Sequence, residues 1–211
     1  MEQTAIVKSK KRVSGWIAAA LAAVVGLSIW PVLRSNGPAA PDWPAIDAAW
    51  HQGRVALLIR HMARCDRSPD PCLDTDGHGI TRAGAHRAER MAPGIRARLD
   101  LALADIWHSP VRRTAQTARI LFGDASRPAP WLRRDCKTQM QAAIFDHWRP
   151  GRNLILVTHA TCIKYLTDAR GRRLIDPASG SYGWAWFLIR QPDGDWRPAG
   201  ALTPEGWSPR D

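Results

Sequence analysis

The sequence lacks several signatures, and each absence removes a class of function. It has no internal repeat, so it is not a solenoid or propeller array. It carries no recognised nucleic-acid motif and no Lys/Arg run in its globular part. Cys65, Cys72 and His78 lack the spacing of a zinc site. The segment DTDGHG, Asp74 to Gly79, starts like a calcium loop but has no closing glutamate at the required distance, and reads as a turn. Acidic residues are few, with 19 Asp and Glu against 30 Lys and Arg, a formal net charge of +11. With no nucleic-acid motif present, that excess suits phosphosugars or anionic lipid headgroups, and most of the arginines read as solvated surface. Hydrophobic residues make up 45% of 211, which excludes wholesale disorder and suits one domain with a real core.

Two apolar runs end abruptly in charge. Val55 to Ile59 stops at Arg60-His61, with Arg64 three residues after the histidine, and Leu154 to Val157 stops at Thr158-His159. Runs of this length bounded by charge read as buried strands. Delivering Arg, His and Arg to one strand end sets like charges together and pushes the imidazole toward its neutral form. A phosphate dianion relieves that repulsion and accepts bidentate bonds from guanidinium forks. Between the two runs, IWHSPVRRTAQTARIL, Ile106 to Leu121, reads as a strand end, a Ser-Pro turn and a helix whose first turns hold Arg113, close to N–H groups that favour anions. In open α/β sheets, sites form outside the carboxyl ends of the strands, so the two histidines are expected to converge.

These residues carry a resemblance to the histidine phosphatase superfamily, also called the phosphoglycerate mutase-like fold. Arg60-His61 resembles the opening Arg-His motif, and Arg64 the second arginine of the acid-phosphatase variant. ITRAGAHRAE, Ile80 to Glu89, resembles the helix-opening segment that follows. SPVRRTAQTA places the third phosphate arginine at Arg113, and VTHA places the second histidine at His159. The run RHMARCDRS, with Cys72 and Cys162, resembles the heptose-phosphate phosphatase branch, and the resemblance covers roughly residues 53 to 190. It implies a three-layer α/β/α sandwich with a mostly parallel central sheet. It assigns His61 as nucleophile, and Arg60, Arg64, Arg113 and His159 as phosphate ligands. It implies no metal or organic cofactor.

The chain also departs from the pattern. Met62 stands where glycine is usual, which threatens to crowd the pocket, and Ala63 stands where a glutamate often follows. The carboxylate that protonates the leaving oxygen is missing from both usual places, occupied here by Ala160 and Gln139. By sequence the nearest replacement is Asp135, with Asp66 and Asp74 behind it.

Lys8, Lys10, Lys11 and Arg12 precede an uncharged stretch at 13–33, and only Arg34 follows closely. The stretch is long for a secretory signal, and no clean Ala-x-Ala site follows, which favours an uncleaved signal anchor over a cleaved signal peptide. The charge asymmetry puts the following domain outside the cytoplasm, in the periplasm, tethered to the inner membrane. Residues 1–34 therefore read as the anchor, 35–44 as a linker and 45–211 as the catalytic domain. Export permits disulfides. Cys65 and Cys72 flank a turn-rich loop that could join them, leaving Cys136 and Cys162 as the second pair; four reduced, packed cysteines are the alternative, since pairing does not follow from sequence alone.

Helices are expected near 42–51, 82–98 (N-capped by Thr81), 111–122, 137–148 and 160–168, and strands near 55–60, 104–108, 154–158 and 184–190. Pro93-Gly94 should distort or shorten the second helix. The tail after Gln191 should be a hairpin or irregular, with its two tryptophans packed back on the domain. The expected function is phosphomonoester hydrolysis through a phosphohistidine, on a phosphorylated small molecule or a glycolipid such as a lipopolysaccharide core sugar. A catalytically weak phosphate-binding or envelope interaction protein of the same fold is the alternative.

Overall fold

A computed structural model describes residues 38–133, 136–178 and 181–207. The predicted anchor at 13–33 lies outside them. Among the described residues, no helix is long and apolar enough to cross a membrane.

The elements follow the apolar patterning. Helix α1 (Trp43–His51) starts at Asp42, whose side chain accepts the Ala45 N–H at 3.2 Å, with Pro44 in its first turn. Strand β1 (Val55–Arg60) is followed by helix α2 (Arg82–Arg98), capped by Thr81 as expected, its hydroxyl accepting the Gly84 N–H at 2.9 Å. Then come β2 (Ala104–His108), α3 (Arg112–Phe122), the short β3 (Arg127–Pro128), α4 (Cys136–His147), β4 (Asn153–Thr158), the one-turn α5 (Ala160–Ile163), β5 (Ala185–Arg190) and β6 (Trp196–Leu202).

The six strands form one sheet in the order β3-β2-β4-β1-β5-β6. The first four are mutually parallel; β5 runs antiparallel to β1, and β6 antiparallel to β5. Alternation along each strand builds two cores. Leu57, Ile59, Ile155, Val157, Phe187 and Ile189 face α1, α2 and α3. Leu58, Leu154, Leu156 and Leu188 face α4 and α5 on the other side. This is the expected three-layer α/β/α sandwich with a mostly parallel sheet. Asn153, wholly buried, ties the layers: its Oδ1 accepts the Val55 N–H at 2.9 Å, and its Nδ2 donates to the Trp50 and Leu103 carbonyls.

Three features differ from the sequence reading, and one follows it. Helix α2 runs through Pro93 to Arg98. An interior proline costs about 3 kcal/mol, but Ala88, Met91, Ala92 and Ile95 are buried around it, and Gly94 lets the Trp207 carbonyl approach where a Cβ would lie 1.6 Å from its oxygen. The last expected helix, 160–168, ends at Ile163. There Tyr165 and Leu166 switch to i→i+3 bonds, and Leu174 N–H pairs back to the Leu166 carbonyl. As expected, the tail forms the hairpin β5–β6, and Trp196 and Trp207 are both buried. The compact unit begins at Pro38, inside the expected linker, because Ala39 and Asp42 hydrogen-bond along β6.

Candidate active site

Strand geometry alone brings the polar residues together. β1, β2 and β4 are adjacent and parallel, and the residues just past their carboxyl ends are His61, Ser109 and His159. His61 N–H donates to the Thr158 carbonyl and Ser109 N–H to the Val157 carbonyl, each at 3.0 Å, and the His159 carbonyl accepts Cys162 N–H at 2.9 Å, so all three backbones are fixed. The two imidazoles meet edge to face, 5.3 Å between centroids, and both are 4% exposed.

Hydrogen bonds set the state of His61. Its Nδ1 lies 2.7 Å from the Met62 carbonyl oxygen, which can only accept, so Nδ1 carries the proton. Its Nε2 is then the lone-pair nitrogen, and it accepts Arg113 Nε–H at 3.1 Å. Arg113 reaches His159 as well, with Nη2 3.3 Å from Nδ1, while His159 Nε2 lies 3.1 Å from Ser109 Oγ. The His61 pKa is held well below the ordinary imidazole value. Burial is the main cause; the charges of His159, Arg113 and Arg60 add to it, and the Met62 carbonyl opposes it. The sequence reading attributed this neutral form to like charges, which come second to burial.

Arg60 crosses the face of Tyr182 at 4.0 Å and donates to Ser181 Oγ at 3.0 Å and to the Ala178 carbonyl. Its Nε is buried without a protein partner among the described residues. Arg64 is directed elsewhere than expected. Its guanidinium forms a two-pronged ion pair with Asp66. Next to Arg113 opens a cavity of about 310 Å³, lined by Asp66, His78, Gly79, Val111, Arg112 and Arg113. Asp74 and Asp76 both pair with Arg112, which fixes the DTDGHG turn against the start of α3.

Met62 does not crowd this site. It is 1% exposed and belongs to the core beneath it. Two glycines make room: a Cβ on Gly183 would lie 2.6 Å from Met62 Sδ, and one on Gly84 would lie 3.2 Å from Met62 Cβ. The Met62 N–H is received by Thr117 Oγ1 at 3.1 Å. Both expected disulfides are present, Cys65–Cys72 with Cα atoms 5.0 Å apart and Cys136–Cys162 with 5.3 Å, so no cysteine is free. Asp135 lies outside the described residues, and Gln139 sits in the first turn of α4.

Sequence reasoning did not find Ser109 as a partner of His159, Thr117 as the acceptor behind Met62, or Tyr182 beneath Arg60. The Ser-Pro turn held a signal for Ser109. Tyr182 lies more than a hundred residues from Arg60 and had none.

No family model matches the chain. A lipopolysaccharide core heptose(II)-phosphate phosphatase of Escherichia coli (strain K12) is 32% identical over 161 residues, covering 75% of this chain and 78% of the relative. That of Escherichia coli O1:K1 / APEC is 32% identical over 149 residues, covering 70% and 73%. Among solved structures, phosphoglycerate mutase from Bacillus anthracis str. Sterne superposes with a TM-score of 0.57 over 76% of this chain and 97% of that one, at 11% identity. A SixA protein from Agrobacterium tumefaciens gives 0.51 over 72% and 98%, at 19% identity. The structural matches carry the fold and the sequence matches carry the family: the chain belongs to the histidine phosphatase superfamily, among the heptose(II)-phosphate phosphatases, and is a histidine-type phosphatase.

Proposed function

We propose that His61 is the nucleophile of a phosphomonoesterase whose substrate is a phosphate on a lipopolysaccharide core sugar, met on the periplasmic side of the inner membrane. One observation carries the chemistry. The Met62 carbonyl holds the proton on Nδ1, so the lone pair at Nε2 faces the group that holds both histidines, Arg113. Nε2 attacks phosphorus in line, the P–O bond to the sugar breaks, and water later releases phosphate from the phosphohistidine. A covalent intermediate divides the displacement into two easier steps. Arg113, Arg60 and His159 offer fixed donors to the non-bridging oxygens, the main catalytic resource of phosphoryl transfer. The buried Nε of Arg60 is capacity of the kind an anion uses. Arg64 joins them by exchanging Asp66 for phosphate.

The substrate class rests on the Escherichia coli relatives named for it. The location rests on the basic cluster before 13–33 and on two disulfides, which suit an oxidising compartment. A tethered periplasmic domain reaches a lipid-linked glycan directly.

Two assays with the purified protein test this reading. A generic phosphomonoester should be turned over, and His61→Ala should abolish that turnover without loss of the folded state. Phosphorylated core oligosaccharide should be preferred to the generic ester by kcat/KM. Turnover surviving in His61→Ala would remove the nucleophile, and absence of any preference would remove the substrate assignment.

A further inference from the structure

The missing proton donor has a candidate in the geometry around Arg113. We propose that Asp66 is the acid that protonates the leaving oxygen, and that it is released for this role when the substrate phosphate takes Arg64 from it. This rests on the phosphohistidine reading above.

Asp66 lines the cavity that opens beside Arg113, which is bonded to Nε2 of His61. It is the one carboxylate among the described lining residues. Its backbone is fixed in a 3-10 turn, Cys65–Arg67, at the start of the loop that the Cys65–Cys72 bridge closes. Asp74 and Asp76, just beyond that loop, are committed elsewhere: Asp74 holds Arg112 and accepts Gln116 Nε2–H at 2.6 Å, and Asp76 holds Arg112. Asp70, inside the loop, does not line the cavity. Asp66 is kept ionised, first by its bonds from Arg64 and further by the charges of Arg64 and Arg113. The guanidinium that holds it is the one the family pattern turns onto phosphate. A dianion competes for the same fork. Once Arg64 moves to the phosphate, Asp66 has lost its main partner and stands beside two new negative charges. Both changes raise its proton affinity.

The protons then balance. In the first step the Nε2–P bond forms, the P–O bond breaks, and the Asp66 proton passes to the departing alkoxide oxygen. In the second, water attacks phosphorus and gives its proton to the Asp66 carboxylate. The P–N bond breaks with its electron pair returning to Nε2, and the acid is restored.

Leaving-group dependence is the test. Asp66→Asn, Arg64→Ala, His78→Ala and Asp135→Asn should be compared on an alkyl phosphate and on nitrophenyl phosphate, which needs little protonation. General acid catalysis is worth about 10²–10⁴-fold, so Asp66→Asn should lose roughly that on the alkyl ester and far less on the nitrophenyl ester. Asp66→Glu should recover part of the loss. Arg64→Ala should weaken both substrates alike. If Asp66→Asn also weakens both alike, Asp66 only positions Arg64 and the proposal fails. It fails too if the selective loss appears in Asp135→Asn or His78→Ala instead. If the wild-type protein forms no phosphoenzyme even from nitrophenyl phosphate, the phosphohistidine reading fails, whatever the carboxylate does.

Discussion

At the scale of single residues, the site is built around a buried, neutral imidazole. His61 has a folded-state pKa below its unfolded value, so the unfolded chain binds more protons in the window running down from about 6.5. Stability therefore falls as pH drops through that window, levels off once the folded-state pKa is passed, and is unaffected by this group above it. One proton limits the slope to about 1.4 kcal/mol per pH unit. The pKa of His108, also lowered by burial, adds a slope of the same sign. Urea denaturation at pH 7 and pH 5.5 should show the wild-type protein losing more stability than His61→Ala. Equal losses would mean that His61 is not held neutral by the fold. The residue type and position of His61 were legible in the sequence, because a buried run that stops at Arg-His is unusual. Its tautomer was not, because that depends on where one backbone carbonyl points.

At the scale of elements, the site is a set of strand ends held by unusual backbone. Gly183, with φ of +75°, donates its N–H to the Arg60 and His61 carbonyls at 3.1 and 3.3 Å. A Cβ there would meet Met62 Sδ at 2.6 Å and Pro204 Cγ at 2.7 Å. Gly183→Ala should cost about 2–4 kcal/mol from left-handed strain and overpacking together. It should also lower kcat, because the displaced Met62 carries the carbonyl that orients His61. Calorimetry and steady-state kinetics check both parts; a stable variant with reduced kcat, or the converse, would separate the two effects and contradict this coupling. Strands β1, β2, β4 and β5 were readable, since their apolar runs are bounded by charge or turns. β3 is two residues long and pairs only through Trp107 and His108, so it has no pattern of its own. β6 carries Pro198 and Gly200, so its segment reads as either a hairpin or irregular, and β5 beside it supplies the pairing that propensity does not.

At the scale of the whole molecule, two disulfides brace the segments that follow the two histidines. Cys65–Cys72 spans 7 residues and Cys136–Cys162 spans 26. Chain-entropy estimates give about 2.5 and about 3.5 kcal/mol respectively. The first closes the loop that carries Arg64's partner, and the second ties α4 to α5 immediately after His159. Reduction should therefore lower activity before it unfolds the chain. Activity and near-ultraviolet circular dichroism followed along a dithiothreitol series would show this order, and coincident loss would refute it. In the proposed topology, the basic cluster before 13–33 leaves the domain outside the cytoplasm. A reporter fused after Asp211 should work only outside the cytoplasm; activity only inside would overturn both the orientation and the oxidising environment the bridges suit.

The proposed nucleophile carries phosphate on Nε2 of His61, and one measurement addresses this directly. The protein should be mixed with a labelled phosphomonoester, quenched under alkaline conditions that preserve phosphohistidine, digested, and mapped by mass spectrometry and phosphorus NMR. The structure predicts an acid-labile phosphate on the peptide containing His61, attached at Nε2, and none in His61→Ala. Phosphate on Nδ1, on His159, or on no histidine at all while turnover continues would contradict the account.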